Sequence, residues 1–98
     1  MQLADFKMLR KERGTEGRQA VLDFGNYHLS IINDGYGSDR GLYEIGVFSA
    51  ADGVASDMTE LPGITDNNDT VKGNLTEEDV NVIIKKMYTI TNRIPRQI

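Results

Sequence analysis

Apolar and polar residues alternate over two neighbouring runs of the chain, residues 19–24 and 27–33. The runs are separated by Gly25-Asn26, and a two-residue loop with glycine first is typical of a type II′ hairpin turn. The predicted cross-strand partners are Ala20 with Ile31, Leu22 with Leu29, and Phe24 with Tyr27. Because these six side chains share one side of the pair, the pattern predicts an antiparallel hairpin with one buried face.

The residues that follow predict further strands and one long loop. The run from Leu42 to Ser49 alternates in the same way and predicts a third strand, with Tyr43, Ile45 and Val47 pointing inward. A short fourth strand is predicted over residues 54–58. The rest of residues 50–74 is rich in Asp, Asn and glycine and is predicted to be a long loop.

A helix is predicted near the end of the chain. Thr76 suits the N-cap position and Asp79 the third helical position, which together form a capping box. Four apolar residues then recur at helical spacing and form a stripe about one face wide: Val80, Ile83, Ile84 and Met87. The pattern predicts an amphipathic helix that packs on the sheet and ends before Pro95.

The start of the chain predicts a second, shorter helix. Leu3, Phe6 and Leu9 recur at threes within residues 3–11, and Gly14 would end the helix. Together the elements predict a single α+β domain over residues 1–98. It consists of a three- to four-stranded antiparallel β-meander packed on the C-terminal helix, with a short N-terminal helix.

Several apolar residues are left on the sheet face that the C-terminal helix does not cover. Val21, Ile32 and Phe48 point to that face in the predicted register, beside His28, and Tyr36 adds an aromatic ring from the glycine-rich loop. An exposed apolar patch of this kind is typical of a partner surface. Either the N-terminal helix covers this face, or a second copy of the chain or a foreign protein does. We predict these five residues as partner-binding.

Composition and charge narrow the classes of partner. The 98 residues carry a formal net charge of -4, of which residues 1–18 contribute +2 and the other eighty residues -6. An acidic body does not favour nucleic-acid binding, which depends on a basic stripe. The sequence has neither a run of about 20 apolar residues that could cross a membrane nor a signal-peptide pattern, so a cytoplasmic protein is expected.

Catalytic and metal-binding patterns are weak. His28 is the single histidine, and Asp23 lies opposite it in the predicted hairpin. This pair, with the glycine loop at residues 35–37, leaves open a small enzyme or nucleotide-binding module. Residues 66–77 match parts of a calcium loop, but Val71 stands where the loop requires glycine. There is no cysteine. We expect no enzymatic activity, metal or cofactor.

Several segments taken together carry a family resemblance. They are Leu-Ala-Asp-Phe-Lys (residues 3–7), Arg13-Gly14-Thr15, Asp-Gly-Tyr-Gly (residues 34–37), the strand at residues 41–47 and the helix start at residues 73–80. Through them the chain resembles small hypothetical proteins carried by tailed bacteriophages and prophages. It departs from that pattern between Ala50 and Asn74, where the family has a cysteine-bearing strand.

The resemblance implies a setting and carries over no catalytic residues. The setting is the cytoplasm of an infected bacterium, with a role in host takeover or in blocking an anti-phage defence factor. The expected function is protein–protein binding to a host or phage protein, with a homodimer as one arrangement. A minor structural component of the virion is the other alternative.

Overall fold

The structure of the protein, a computed structural model, describes residues 1–11 and 17–98. Within them it contains seven strands, one α-helix and two short 3₁₀ turns. The bounds are a 3₁₀ turn at Leu3–Asp5, β1 (Leu9–Arg10), β2 (Arg18–Asp23), β3 (Tyr27–Ile32), a 3₁₀ turn at Ser38–Arg40, β4 (Tyr43–Ala51), β5 (Val54–Met58), β6 (Val71–Leu75), α1 (Glu77–Thr91) and β7 (Arg96–Gln97). The chain is therefore α+β, as the sequence predicts.

All the strands belong to one antiparallel sheet with β2, β3 and β4 at its centre. One edge of β2 pairs with β3, and its other edge pairs with β1 at one end and β7 at the other. In the same way β4 pairs with β3 on one edge and with β5 and β6 on the other. The sheet is thus wider than the predicted meander of three to four strands, because short segments pair with both outer edges.

The predicted hairpin register is confirmed. Ala20 pairs with Ile31 and Leu22 with Leu29. The turn glycine has a φ of 90°, in the region where glycine carries no steric cost. All the apolar residues predicted on the inner side of β2 are buried, and so are Leu29 and Ile31 of β3. The alternation therefore identifies the buried face correctly.

The core lies between the sheet and α1. The helix contributes its four predicted stripe residues, and the sheet contributes the inward side chains of β2, β3 and β4. The capping box is present, since the Asp79 backbone N–H donates to Thr76 Oγ1 at 3.1 Å and the Thr76 N–H donates to Asp79 Oδ2 at 3.0 Å. The helix ends at Thr91, before Pro95, as predicted.

The predicted N-terminal helix is wrong. Residues 3–11 form one 3₁₀ turn followed by the two-residue strand β1, and the chain is extended at Phe6. Leu3 is buried in the core beside α1, and its N–H donates to Asn81 Oδ1 at 2.7 Å. Spacing by threes fits either structure in so short a segment, and tertiary contacts select the turn and strand. Gly14 lies outside the described residues.

The segment predicted to be a long loop contains two strands. β5 matches the predicted fourth strand over residues 54–58, whereas β6 was not predicted. Leu61 and Ile64 of the connecting loop are buried in the core, and Lys86 Nζ of α1 donates to the Gly63 carbonyl. This loop therefore closes the core on the helix side of the sheet.

The helix cap predicts a pH dependence of stability. Hydrogen bonds from the Thr76 backbone and side chain hold the pKa of the Asp79 carboxyl below its ordinary value. The stability that Asp79 contributes is therefore present above its unfolded pKa of about 4 and is lost as the pH falls through the lower folded value. Between about pH 6 and pH 3, we expect the urea midpoint of Asp79→Asn to fall less than that of the wild type.

A matched control is available in the same helical turn. Glu78→Gln also removes one carboxylate from the exposed first turn, at a residue that does not form the capping box with Thr76. We expect its midpoint to fall with pH as steeply as that of the wild type. Equal slopes for Asp79→Asn and the wild type would contradict the role of the cap.

Candidate functional site

The side of the sheet opposite α1, called here the outer face, carries the residues predicted to bind a partner. Its residues form rows across β2, β3 and β4. One row consists of Val21, Ser30 and Gly46, and the next consists of Asp23, His28 and Phe48. The third row holds Gln19, Ile32 and Glu44. Since alternate residues of these strands are buried beneath α1, the three rows point away from the helix.

Short strands at both edges extend the outer face with further apolar residues. Leu9 pairs with Gln19, Val71 with Gly46, and Met58 with Phe48. The N–H of Ile98 donates to the Val21 carbonyl, which places Ile98 on the same face in the continued register of β7. Leu9, Met58 and Ile98 are 47%, 42% and 62% exposed. The outer face therefore carries apolar residues from one edge of the sheet to the other, and polar residues lie between them.

The outer face has the dimensions of a small interface. It is five strands wide at about 4.8 Å per strand and three outward residues long, which corresponds to roughly 24 by 20 Å. An area on the order of 500 Å² per partner lies at the lower end for specific protein–protein complexes. A surface of this size suits a transient complex rather than an obligate one.

Gly46 leaves a gap in the middle of the outer face that Met58 fills. A Cβ built on Gly46 would lie 2.9 Å from Met58 Cε and 3.5 Å from Val71 Cγ1. The flexible methionine side chain therefore folds inward across the glycine. Methionine at such a position can repack against partners of different shape, because its side chain is unbranched and polarizable.

His28 lies on the outer face but is shielded by its neighbours. It is 3% exposed, and its Nε2 atom is buried without a hydrogen-bond partner. Asp23 Oδ1 lies 3.5 Å from this nitrogen and accepts the Gly25 N–H at 2.7 Å. Because a catalytic base must reach its substrate, the buried Nε2 atom does not suit that role. His28 is the direct cross-strand neighbour of Phe48.

Tyr36 stands at the opposite end of the outer face on a well-anchored loop. Its N–H points to Glu44 Oε2 at 3.4 Å, and its carbonyl accepts the Asn74 N–H at 3.0 Å. The backbone therefore holds the loop against β4 and β6, while the side chain is 68% exposed. An exposed aromatic ring on a fixed backbone is a common element of protein interfaces.

Gly73 is required for the position of Tyr36, which yields a testable prediction. A Cβ at residue 73 would lie 2.5 Å from Tyr36 Cβ and 3.2 Å from the Tyr36 carbonyl oxygen. Since neither atom belongs to a flexible side-chain end, Gly73→Ala must displace the loop. We expect Gly73→Ala to lower the free energy of unfolding by about 1–3 kcal/mol, measured by urea denaturation.

Gly46→Ala is the matched control on the same face. Its new methyl group meets only the mobile end of Met58 at close range, and alanine has less backbone entropy to lose in a strand than glycine. We expect a change of less than about 0.5 kcal/mol. Similar losses for both variants would show that Gly73 has no special role in placing Tyr36.

The structure brings together four of the five predicted binding residues and adds others. Val21, His28, Ile32 and Phe48 lie within three adjacent strands, and Tyr36 borders them. The sequence did not place Leu9, Met58, Val71 or Ile98 on this face. The strand of Met58 was predicted without its pairing, and the strands of the other three residues are defined only by pairing with a neighbour. Alternation within such short runs is too brief to be recognised.

The residues of the enzyme alternative are not brought together. His28 lies near the start of β3, whereas the glycine loop follows the end of this strand. The four residue steps from His28 to Ile32 alone span roughly 13 Å. Among the described residues no cluster of three or more His, Asp or Glu side chains is arranged to hold a metal ion. The pair of His28 and Asp23 therefore stands apart from the proposed nucleotide loop.

A second concave surface runs along the exposed flank of α1. This groove of about 580 Å³ is lined by Met1, Gln2, Asn81, Val82, Lys85, Tyr88 and Ile94. Its apolar members fall outside the buried helical stripe, so periodicity does not single them out. The groove lies on the helix side of the molecule and shares no residue with the outer face.

No helix in the described part of the chain combines the length and apolarity needed to cross a membrane. Comparison of the chain with family models, with curated proteins and with solved structures finds no match to any of them.

Proposed function

We propose that the chain is a small protein-binding module whose outer face docks onto another protein. The observation that supports this most strongly is the set of apolar side chains on the outer face. Leu9, Met58 and Ile98 are exposed at its edges, and Val21, Ile32 and Phe48 are half-buried between them. The N-terminal segment, which could have covered that face, packs beside α1 instead. A group of apolar side chains that stays partly exposed on one face is typical of a surface that a partner covers.

The partner that we propose is a foreign protein. Two copies of the chain would bring together two bodies of net charge -4, and this repulsion opposes self-association. A host or phage protein with a neutral or basic surface carries no such penalty. The resemblance to phage proteins supports a setting in the bacterial cytoplasm and a role in host takeover or in countering defence.

The absence of cysteine allows a direct test by alkylation of single-cysteine variants. Met58→Cys places a thiol on the outer face, and Val82→Cys places one on the exposed side of α1. A tagged chain is used to capture proteins from a phage-infected bacterial lysate, and the retained protein is purified. Binding of that protein should slow alkylation at residue 58 by at least about tenfold and at residue 82 by less than about twofold.

Each other outcome counts against the proposal. Protection of residue 82 without residue 58 would place the interface on the helix side. A monomeric chain that retains no protein would remove binding as the function. Sedimentation that shows a dimer, with residue 58 protected in the chain alone, would replace the foreign partner by a second copy. Enrichment in purified particles would instead indicate a virion component.

A further inference from the structure

A small pocket lies at the end of the sheet at which β2 turns into β3. Two arginines and the glycines of two turns line it. Its volume is about 240 Å³. It is lined by Asp23, Gly25, Gly53, Arg93, Ile94 and Arg96. The chain as a whole is acidic, so a pocket with two arginines and one carboxylate stands out as locally basic.

The backbone brings the two arginines to the pocket from different directions. Arg93 follows the end of α1 and lies directly over the hairpin turn, since a Cβ on Gly25 would be 2.8 Å from its Cδ and 2.9 Å from its Nε. Arg96 belongs to β7 and pairs with Asp23 of β2. The side chain of Arg93 thus lies against a glycine turn, and strand pairing fixes the backbone of Arg96, whose side chain is exposed.

Within the described part of the molecule, the guanidinium groups of Arg93 and Arg96 form neither an ion pair nor a hydrogen bond. The ion pairs found there join Lys11 to Asp34 and His28 to Asp23, and none involves Arg93 or Arg96. Asp23 is the carboxylate that lines the pocket. Its Oδ1 atom accepts the Gly25 N–H and lies 3.5 Å from His28 Nε2. Each guanidinium therefore keeps its five N–H donors for solvent or a ligand.

We propose that this pocket binds a phosphate group. A guanidinium presents a planar fork, and a carboxylate is satisfied by one such fork. Two forks that approach from different segments match a tetrahedral oxyanion, which has oxygens to offer to both. A dianionic phosphate also offsets both arginine charges in spite of the neighbouring Asp23. The phosphate site does not rest on the docking function proposed above, although Asp23 and, by strand pairing, Arg96 belong to the end row of the outer face.

The site is tested by NMR titration of the uniformly ¹⁵N-labelled full chain with inorganic phosphate. The Nε–H signals of Arg93 and Arg96 and the amides of Gly25 and Gly53 should shift together and give one dissociation constant. Parallel titrations use phenyl phosphate, acetate and chloride at matched ionic strength. We expect inorganic phosphate and the phosphate ester to bind, and acetate and chloride to bind at least about tenfold more weakly. The tighter of the two phosphates indicates whether the pocket prefers the free ion or an ester.

Three variants separate a built site from general charge attraction. Arg93→Gln and Arg96→Gln should each weaken phosphate binding by at least about tenfold. Arg10→Gln removes the same single charge from an exposed position on β1 and should change binding by less than about twofold. Equal losses in all three, or equal shifts with phosphate and chloride, would overturn the proposal. So would shifts spread over the chain without the two arginine side chains.

Discussion

Phe48→Asp is expected to leave the fold intact and to weaken binding of the captured partner by at least about 30-fold. Phe48 occupies the outer face between His28 and Met58 and is only half-buried in the isolated chain. Truncating an aromatic residue at the centre of an interface commonly costs about 2 kcal/mol or more, and an added charge must also be desolvated against the partner. The measurement is the dissociation constant by isothermal titration calorimetry.

The fold of this variant is checked separately. The core lies on the other side of the sheet, so the free energy of unfolding should fall by less than about 2 kcal/mol and the far-UV circular dichroism should stay unchanged. Val82→Asp, on the exposed side of α1, is the matched control and should bind as tightly as the wild type. If Phe48→Asp folds and binds with unaltered affinity, the outer face is not the docking surface.

The second large effect concerns stability and compares the two opposite faces of one strand, β3. Leu29 is fully buried between the sheet and α1, whereas Ile32 lies half-buried on the outer face of the same strand. Leu29→Ala should lower the free energy of unfolding by about 3 kcal/mol, because it removes buried methyl groups and leaves a cavity. Ile32→Ala should cost less than about 1.5 kcal/mol.

Urea denaturation of both variants decides between the two faces. The difference of at least about 1.5 kcal/mol follows directly from which side of β3 the core occupies. The opposite ranking would mean that Ile32 rather than Leu29 faces the helix in solution. The outer face as defined here would then be the core.

The parts of the fold that could be predicted are those in which periodicity and local chemistry agree. The hairpin around Gly25 combines strict alternation with a turn residue of the right conformation, and its register is confirmed pair by pair. The final helix combines a capping box at Thr76 with an apolar stripe, and both are present in the structure. Two independent local signals were available for each of these elements.

The parts that could not be predicted depend on tertiary contacts. The N-terminal segment lacks the length to hold a helix by itself, and burial of Leu3 beside α1 together with pairing of Leu9 to β2 decides its path. Likewise β7 is two residues long and exists because β2 offers it an edge. The short strands β1 and β7 extend the outer face beyond β2. The sequence predicted only the residues at the centre of that face.

Methyl cross-saturation tests most directly whether the outer face meets the partner. Saturating the protons of the bound partner should reduce the methyl signals of Val21, Ile32 and Val71 on the outer face. The methyl signals of Val82 and Ile90, which are exposed on α1, should keep their intensity. Loss of signal on α1 with the outer face unaffected would contradict the docking surface proposed here.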